Sequence, residues 1–170
     1  MNIVITLPHE LIHEIKEGRK IIEVRSQIPK YFNRKKDVVY VVEKGTKNIA
    51  LFFTIFRYEI WSPLENLDKK LATDAAVPED WITQYRRSKR QLCVWNIACV
   101  CSLPKAMINL THLRILRAPQ GYVYSSLDWR KLHVSCYKWN PYLTNTEKAK
   151  LLKPVIEHNR WLFEHKKAVQ

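Results

Sequence analysis

The chain has 170 residues, 46% of them apolar and 11% aromatic, and carries 29 Lys and Arg against 16 Asp and Glu for a formal net charge of +13. That length suits one well-buried core with an appendage, and the apolar content excludes an intrinsically disordered chain. The charge favours polyanionic partners, nucleic acid foremost, and the longest apolar run, residues 49–56, is strand-sized and far short of the ~18 residues that cross a bilayer, so no membrane partner is expected.

Residues 2–7 read as a strand. Pro8 is placed to open a helix with an apolar stripe of Leu11, Ile12 and Ile15, and Gly18 is placed to cap it. The opening residues lack the basic and long apolar regions of a signal peptide, which points to a cytoplasmic protein whose Cys93, Cys99, Cys101 and Cys136 stay reduced. Residues 20–25 switch to period-two spacing, with Ile22 and Val24 on one face and Glu23 and Arg25 on the other. A basic loop containing Lys30, Arg34, Lys35 and Lys36 leads into strands at 38–42 and 48–60, which a turn at Gly45 can join as a hairpin.

Residues 63–71 pattern as a helix. A second helix starts at Val77-Pro78-Glu79-Asp80-Trp81, with acidic residues in its first turn, and ends in Tyr85, Arg86, Arg87, Lys89 and Arg90. Residues 91–102 form a strand rich in β-branched and aromatic side chains, followed by a turn or short helix at 111–116. A last strand is expected at 132–137 and a turn at Asn140-Pro141. A final helix then begins at a capping box of Thr144 and Glu147, is kinked by Pro154, and docks through Leu151, Leu152, Val155 and Ile156.

The order of these features resembles the ASCH family, a branch of the PUA-like superfamily. The residues that carry the likeness are Pro8, the turn and strand Gly18-Arg19-Lys20-Ile21-Ile22-Glu23-Val24-Arg25, the helix from Trp81 to Arg90 with the following strand around Trp95, and the turn Ala118-Pro119-Gln120-Gly121-Tyr122. The resemblance spans residues 1–128. It implies an α+β protein: a mostly antiparallel PUA-like β-barrel flanked by helices. It also implies a cleft beside the Gly-basic-Lys turn that holds RNA or a nucleotide. Residues 129–170 lie outside the resemblance, and their own pattern is that of a C-terminal helical extension docked on the same domain.

Residue chemistry agrees with that expectation. Lys20 follows a glycine turn, where an ammonium can meet phosphate; Arg25 offers a planar fork for a phosphate or a base, and Glu23 can accept from a base edge. A structural ion pair between Glu23 and Arg25 is the competing reading. Tyr85, Trp95 and Tyr124 are candidate stacking platforms for unpaired bases of a single strand, each also an ordinary core residue. Gln120 can read a base, and Arg86 and Arg87 belong to the densest basic run, either a phosphate-tracking rim or a solvated helix end.

Catalysis is a second expectation. Some ASCH proteins are similar to amidohydrolases that deacylate N4-acetylcytidine with a Lys and a Thr three residues later. Here Lys20 matches the Lys, but Glu23 occupies the Thr position. A Lys20–Glu23 pair acting on RNA or an acylated nucleoside is therefore the alternative to binding of RNA or a modified nucleotide. A remote third reading is a zinc peptidase, because His9-Glu10-Leu11-Ile12-His13 fits H-E-x-x-H. That helix carries its own core stripe, and a catalytic zinc needs a third ligand that the following strands do not obviously supply. Cys99 and Cys101 face one way on a strand and suit packing, while His133 and Cys136 would contribute only if the fold gathered them. No metal or other cofactor is expected.

Overall fold

A computed structural model describes residues 1–61, 68–87, 91–103, 108–128 and 136–139. Its elements in chain order are β1 (Asn2–Leu7), α1 (His9–Glu17), β2 (Ile22–Arg25), β3 (Val39–Glu43), β4 (Ile49–Trp61), α2 (Asp68–Ala75), α3 (Glu79–Arg87), β5 (Leu92–Ser102), β6 (Tyr122–Ser125) and β7 (Cys136–Trp139). Six strands run in the order β2-β5-β4-β3-β1-β6, and β7 pairs with the far half of β5. Every pairing is antiparallel except that of β1 with β3.

The α+β class and the predominantly antiparallel sheet match the sequence expectation, but the barrel is not closed. Among the described residues no backbone ladder joins the edge strands β2 and β6. Bulges in the β4–β5 pairing on either side of Ile55 bend the long strands, as extra residues in a ladder do.

Packing follows from alternation. Ile3, Ile5, Val39, Val41, Leu51, Phe53, Ile55 and Trp95 fill the interior with Ile12 and Ile15 of α1. Val4, Tyr40, Val42, Phe52, Cys99 and Cys101 form a second cluster on the opposite face. Strands buried on both sides carry apolar residues in succession, which explains why β3 and the first half of β4 read as continuous hydrophobic runs. A third cluster joins Ile22 and Val24 of β2 to Leu71, Ala75 and Ile82 of α2 and α3, clamping both helices over one edge of the sheet.

Gly18 ends α1 at φ 80°, the left-handed conformation that glycine adopts without strain, and the backbone N–H groups of Arg19 and Lys20 both donate to the Glu14 carbonyl. Two expectations shift. Within 63–71 only residues 68–71 are described, and they belong to a helix that runs on to Ala75. The strand expected at 132–137 is described as Cys136–Trp139, with 131–135 outside the described residues. The turn at Asn140-Pro141, the Thr144–Glu147 cap and the docking face of the final helix also lie outside the described residues. No helix among the described residues is long and apolar enough to cross a membrane.

Candidate functional site

Beside the open edge lies a cleft of about 350 Å³, walled by Thr6, Leu7, Pro8 and Leu11 on one side and by Ala75, Val77, Trp81 and Tyr85 on the other, with Gln120 at its rim. Lys20, Glu23, Val24 and Arg25 line it as well. Five residues singled out from the sequence therefore meet here: Lys20, Glu23, Arg25, Tyr85 and Gln120.

The turn after Gly18 sends Lys20 inward, where the residue is only 3% exposed. Its Nζ donates to the carbonyls of Ile22 at 2.8 Å and Ala75 at 2.9 Å and lies 3.0 Å from Glu23 Oε2. An ammonium has three N–H groups, so this set of partners uses all of them. The expected phosphate-facing lysine is instead a buried brace tying the start of β2 to the end of α2.

Glu23 is equally buried, and its Oε1 accepts from Arg25 Nη2 at 2.9 Å. Burial by itself would push the Glu23 carboxyl up, but the adjacent Lys20 and Arg25 charges and their hydrogen bonds outweigh it and hold the group below the usual carboxylate range. Two cations around one anion leave the cluster with a net charge of +1.

Arg25 is the member that faces outward. Its side chain is 16% exposed, and Nη1 reaches the Gly121 carbonyl across the open edge at 3.5 Å. Its Nε is buried and has no hydrogen-bond partner among the described residues, and the same holds for Thr6 Oγ1 on the facing wall. Buried polar atoms without partners are uncommon in folded proteins, and two line this cleft.

The aromatic component lies on α3. Trp81 and Tyr85, one turn apart, stack with ring centroids 5.0 Å apart and planes at 8°, and Trp81 is 43% exposed. Trp81 was legible as the start of a helix but not as a site residue. The signal was its i,i+4 relation to Tyr85, which puts both rings on one face of a helix whose acidic start and basic end were already apparent.

Other candidates fall elsewhere. Trp95 is fully buried, packed edge-on against Tyr58 and Tyr122 with centroids 6.4 Å and 6.5 Å away, so its ring belongs to the core and not to the cleft. Its position opposite Glu23 in the β2–β5 ladder nonetheless makes it part of the floor beneath the ion cluster. Tyr124 is half-buried on β6 against Tyr31 and Tyr122 and does not line the cleft. At the end of α3, Arg86 is half-buried and Arg87 exposed, neither lining the cleft; Lys89 and Arg90 lie outside the described residues.

The H-E-x-x-H histidines do sit at the head of α1, but His9 Nδ1 is 2.7 Å from Glu43 Oε1 and His13 is exposed. Among the described residues no three His, Cys, Asp or Glu side chains cluster as metal ligands. Cys99 and Cys101 share one face, buried in the second apolar cluster. His133 and the side chain of Cys136 are outside the described residues.

Chemically, this arrangement suits holding better than proton transfer. A carboxylate kept below its usual range is a weak base near neutral pH, and a lysine with three committed N–H groups has no donor left for a developing charge. Arg25 Nε and Thr6 Oγ1 have no partner among the described residues, and the Trp81 ring is exposed.

The fold is that of ASCH-domain crystal structures. Crystal structures of the ASCH protein from Zymomonas mobilis share it: the unsubstituted protein superposes with a TM-score of 0.57 at 19% identity, covering 89% of this chain and 93% of that one. A point mutant of the same protein gives 0.59 at 18% identity, covering 89% and 94%. No family model matches the chain, and no curated protein sequence matches it significantly.

Proposed function

We propose that the cleft binds RNA or a nucleotide, laying a base against the exposed face of Trp81 and meeting phosphate or a base edge with the Arg25 guanidinium. One observation carries this reading. A stacked aromatic pair with Trp81 exposed lines the same cleft as a cluster of charge +1 whose outermost member, Arg25, keeps a buried Nε without a partner among the described residues. Ring faces grip any base, and cations hold the backbone. The volume of about 350 Å³ lies within the ordinary range for small-molecule sites, and the chain's net charge of +13 favours a polyanion over a neutral metabolite. The ASCH fold agrees with nucleic-acid binding, and Gln120 at the rim supplies an amide for base edges.

The test is fluorescence anisotropy with labelled octaadenylate RNA. Trp81→Ala removes the platform, and Arg25→Lys keeps the charge but loses the fork. Each is expected to weaken binding roughly tenfold, within the range for losing one base stack or one bidentate contact. Unchanged affinity in both variants overturns the proposal.

A further inference from the structure

From the Arg25 contact at Gly121 the chain runs into β6, where Tyr122 and Tyr124, two residues apart, share a face opposite Ile5 and Ile3 of β1. Their rings are 5.7 Å apart at 80°. Tyr124 passes the contact on to Tyr31 in the loop between β2 and β3, with centroids 5.6 Å apart and the Tyr31 backbone N–H donating to the Tyr124 hydroxyl at 3.1 Å. Tyr31 is 59% exposed, and Lys30 Nζ lies 5.5 Å from its ring centroid. A tyrosine needed only for packing would be covered. Here a ring is held in place from behind by Tyr124 and left open in front, next to a cation.

We propose that Tyr31 and Lys30 form a second station for a single RNA strand, so that the ligand of the cleft is an oligonucleotide and not a mononucleotide. This rests on the RNA reading of the cleft and extends it. Gly121 to Tyr124 spans about 10 Å at 3.3–3.4 Å per strand residue. A stacked strand advances about 3.4 Å per nucleotide and an unstacked one further, so the stretch from cleft to Tyr124 takes roughly two or three nucleotides. The half-buried edges of Tyr122 and Tyr124 line the way, and Arg25 at one end and Lys30 at the other supply positive charge for the backbone.

Anisotropy with labelled di- and hexaadenylate RNA tests it on the full chain. The hexamer is expected to bind the unsubstituted protein at least about tenfold more tightly than the dimer, and Tyr31→Ala to weaken the hexamer roughly tenfold while changing the dimer less than about twofold. Because Tyr31 is exposed and its backbone bond survives the substitution, the variant should fold, which a melting curve verifies. A change of less than about twofold for the hexamer in Tyr31→Ala overturns the proposal, as does an equal loss for both lengths. Trp81→Ala separates this from the parent reading: if it weakens the dimer the cleft stands without the second station, and if it affects neither probe the cleft itself is rejected.

Discussion

Lys20 distinguishes a structural brace from a phosphate-binding cation, and Lys20→Met shows which it is. The substitution keeps an unbranched side chain of similar reach but removes the charge. It strands the carbonyls of Ile22 and Ala75 and leaves Glu23, buried to within 4% of full coverage, with Arg25 as its single cationic partner. Breaking a buried ion pair from one side costs about 3–5 kcal/mol. For a chain of this size each kcal/mol lowers Tm by roughly 2–4 °C, so the expected fall is about 6–20 °C. Thermal unfolding followed by circular dichroism near neutral pH measures it. The double variant Lys20→Met/Glu23→Gln should recover part of the loss, because the neutral amide no longer needs a counter-charge. A Tm for Lys20→Met within about 2 °C of the unsubstituted protein refutes the brace, since a solvent-facing cation can be lost at little stability cost.

Acid should unfold the protein through the same cluster. The Glu23 carboxyl lies below its ordinary value of 4.5 in the folded state, so its contribution to stability is fully present above that pH and is lost as pH falls through the depressed folded value. A Tm series from about pH 6 to about pH 3 should show this decline, and in Lys20→Met the decline should begin at higher pH. The two tryptophans should separate cleanly in urea denaturation: Trp95→Ala is expected to cost about 3–5 kcal/mol, the usual result of emptying a buried aromatic site, whereas Trp81→Ala at an exposed position should cost under about 1 kcal/mol. His9→Ala and His13→Ala should leave zinc content after dialysis unchanged and sub-stoichiometric. Stoichiometric zinc lost in either variant would revive the peptidase reading.

The framework was legible wherever one local signal dominated. Pro8 and Gly18 bracket α1, and the acidic start and basic end of α3 bracket that helix, because caps and helix-end charges act within a single turn. The turn at Gly45 joined β3 to β4 for the same reason. What sequence could not supply was which side of a strand meets the core when both sides are covered. Trp95 and Lys20 illustrate the two failures. Trp95 carries an indole that suits a platform as well as a core, and only the neighbours brought by β4 and β6 decide between them. Lys20 looked free because one of its three acceptors, the Ala75 carbonyl, is 55 residues away, and the other two, the Ile22 carbonyl and Glu23, are met only once the turn after Gly18 folds the side chain inward. Strand β6 was not read from the sequence, which marked only the turn ending at Tyr122, since four residues give no periodicity of their own and are extended by pairing with β1.

Among the described residues no ladder joins β2 to β6, and Arg25 of β2 reaches the carbonyl of Gly121, just before β6, through one long contact. Separating these two edges therefore breaks no strand-pairing hydrogen bond among the described residues, whereas separating any two neighbours in the sheet does. The guanidinium assigned to gripping a ligand is also the latch between those edges. On the proposed reading, an Arg25 drawn toward a guest gives up its contact with Gly121, so that capture of the guest and release of this latch are one event.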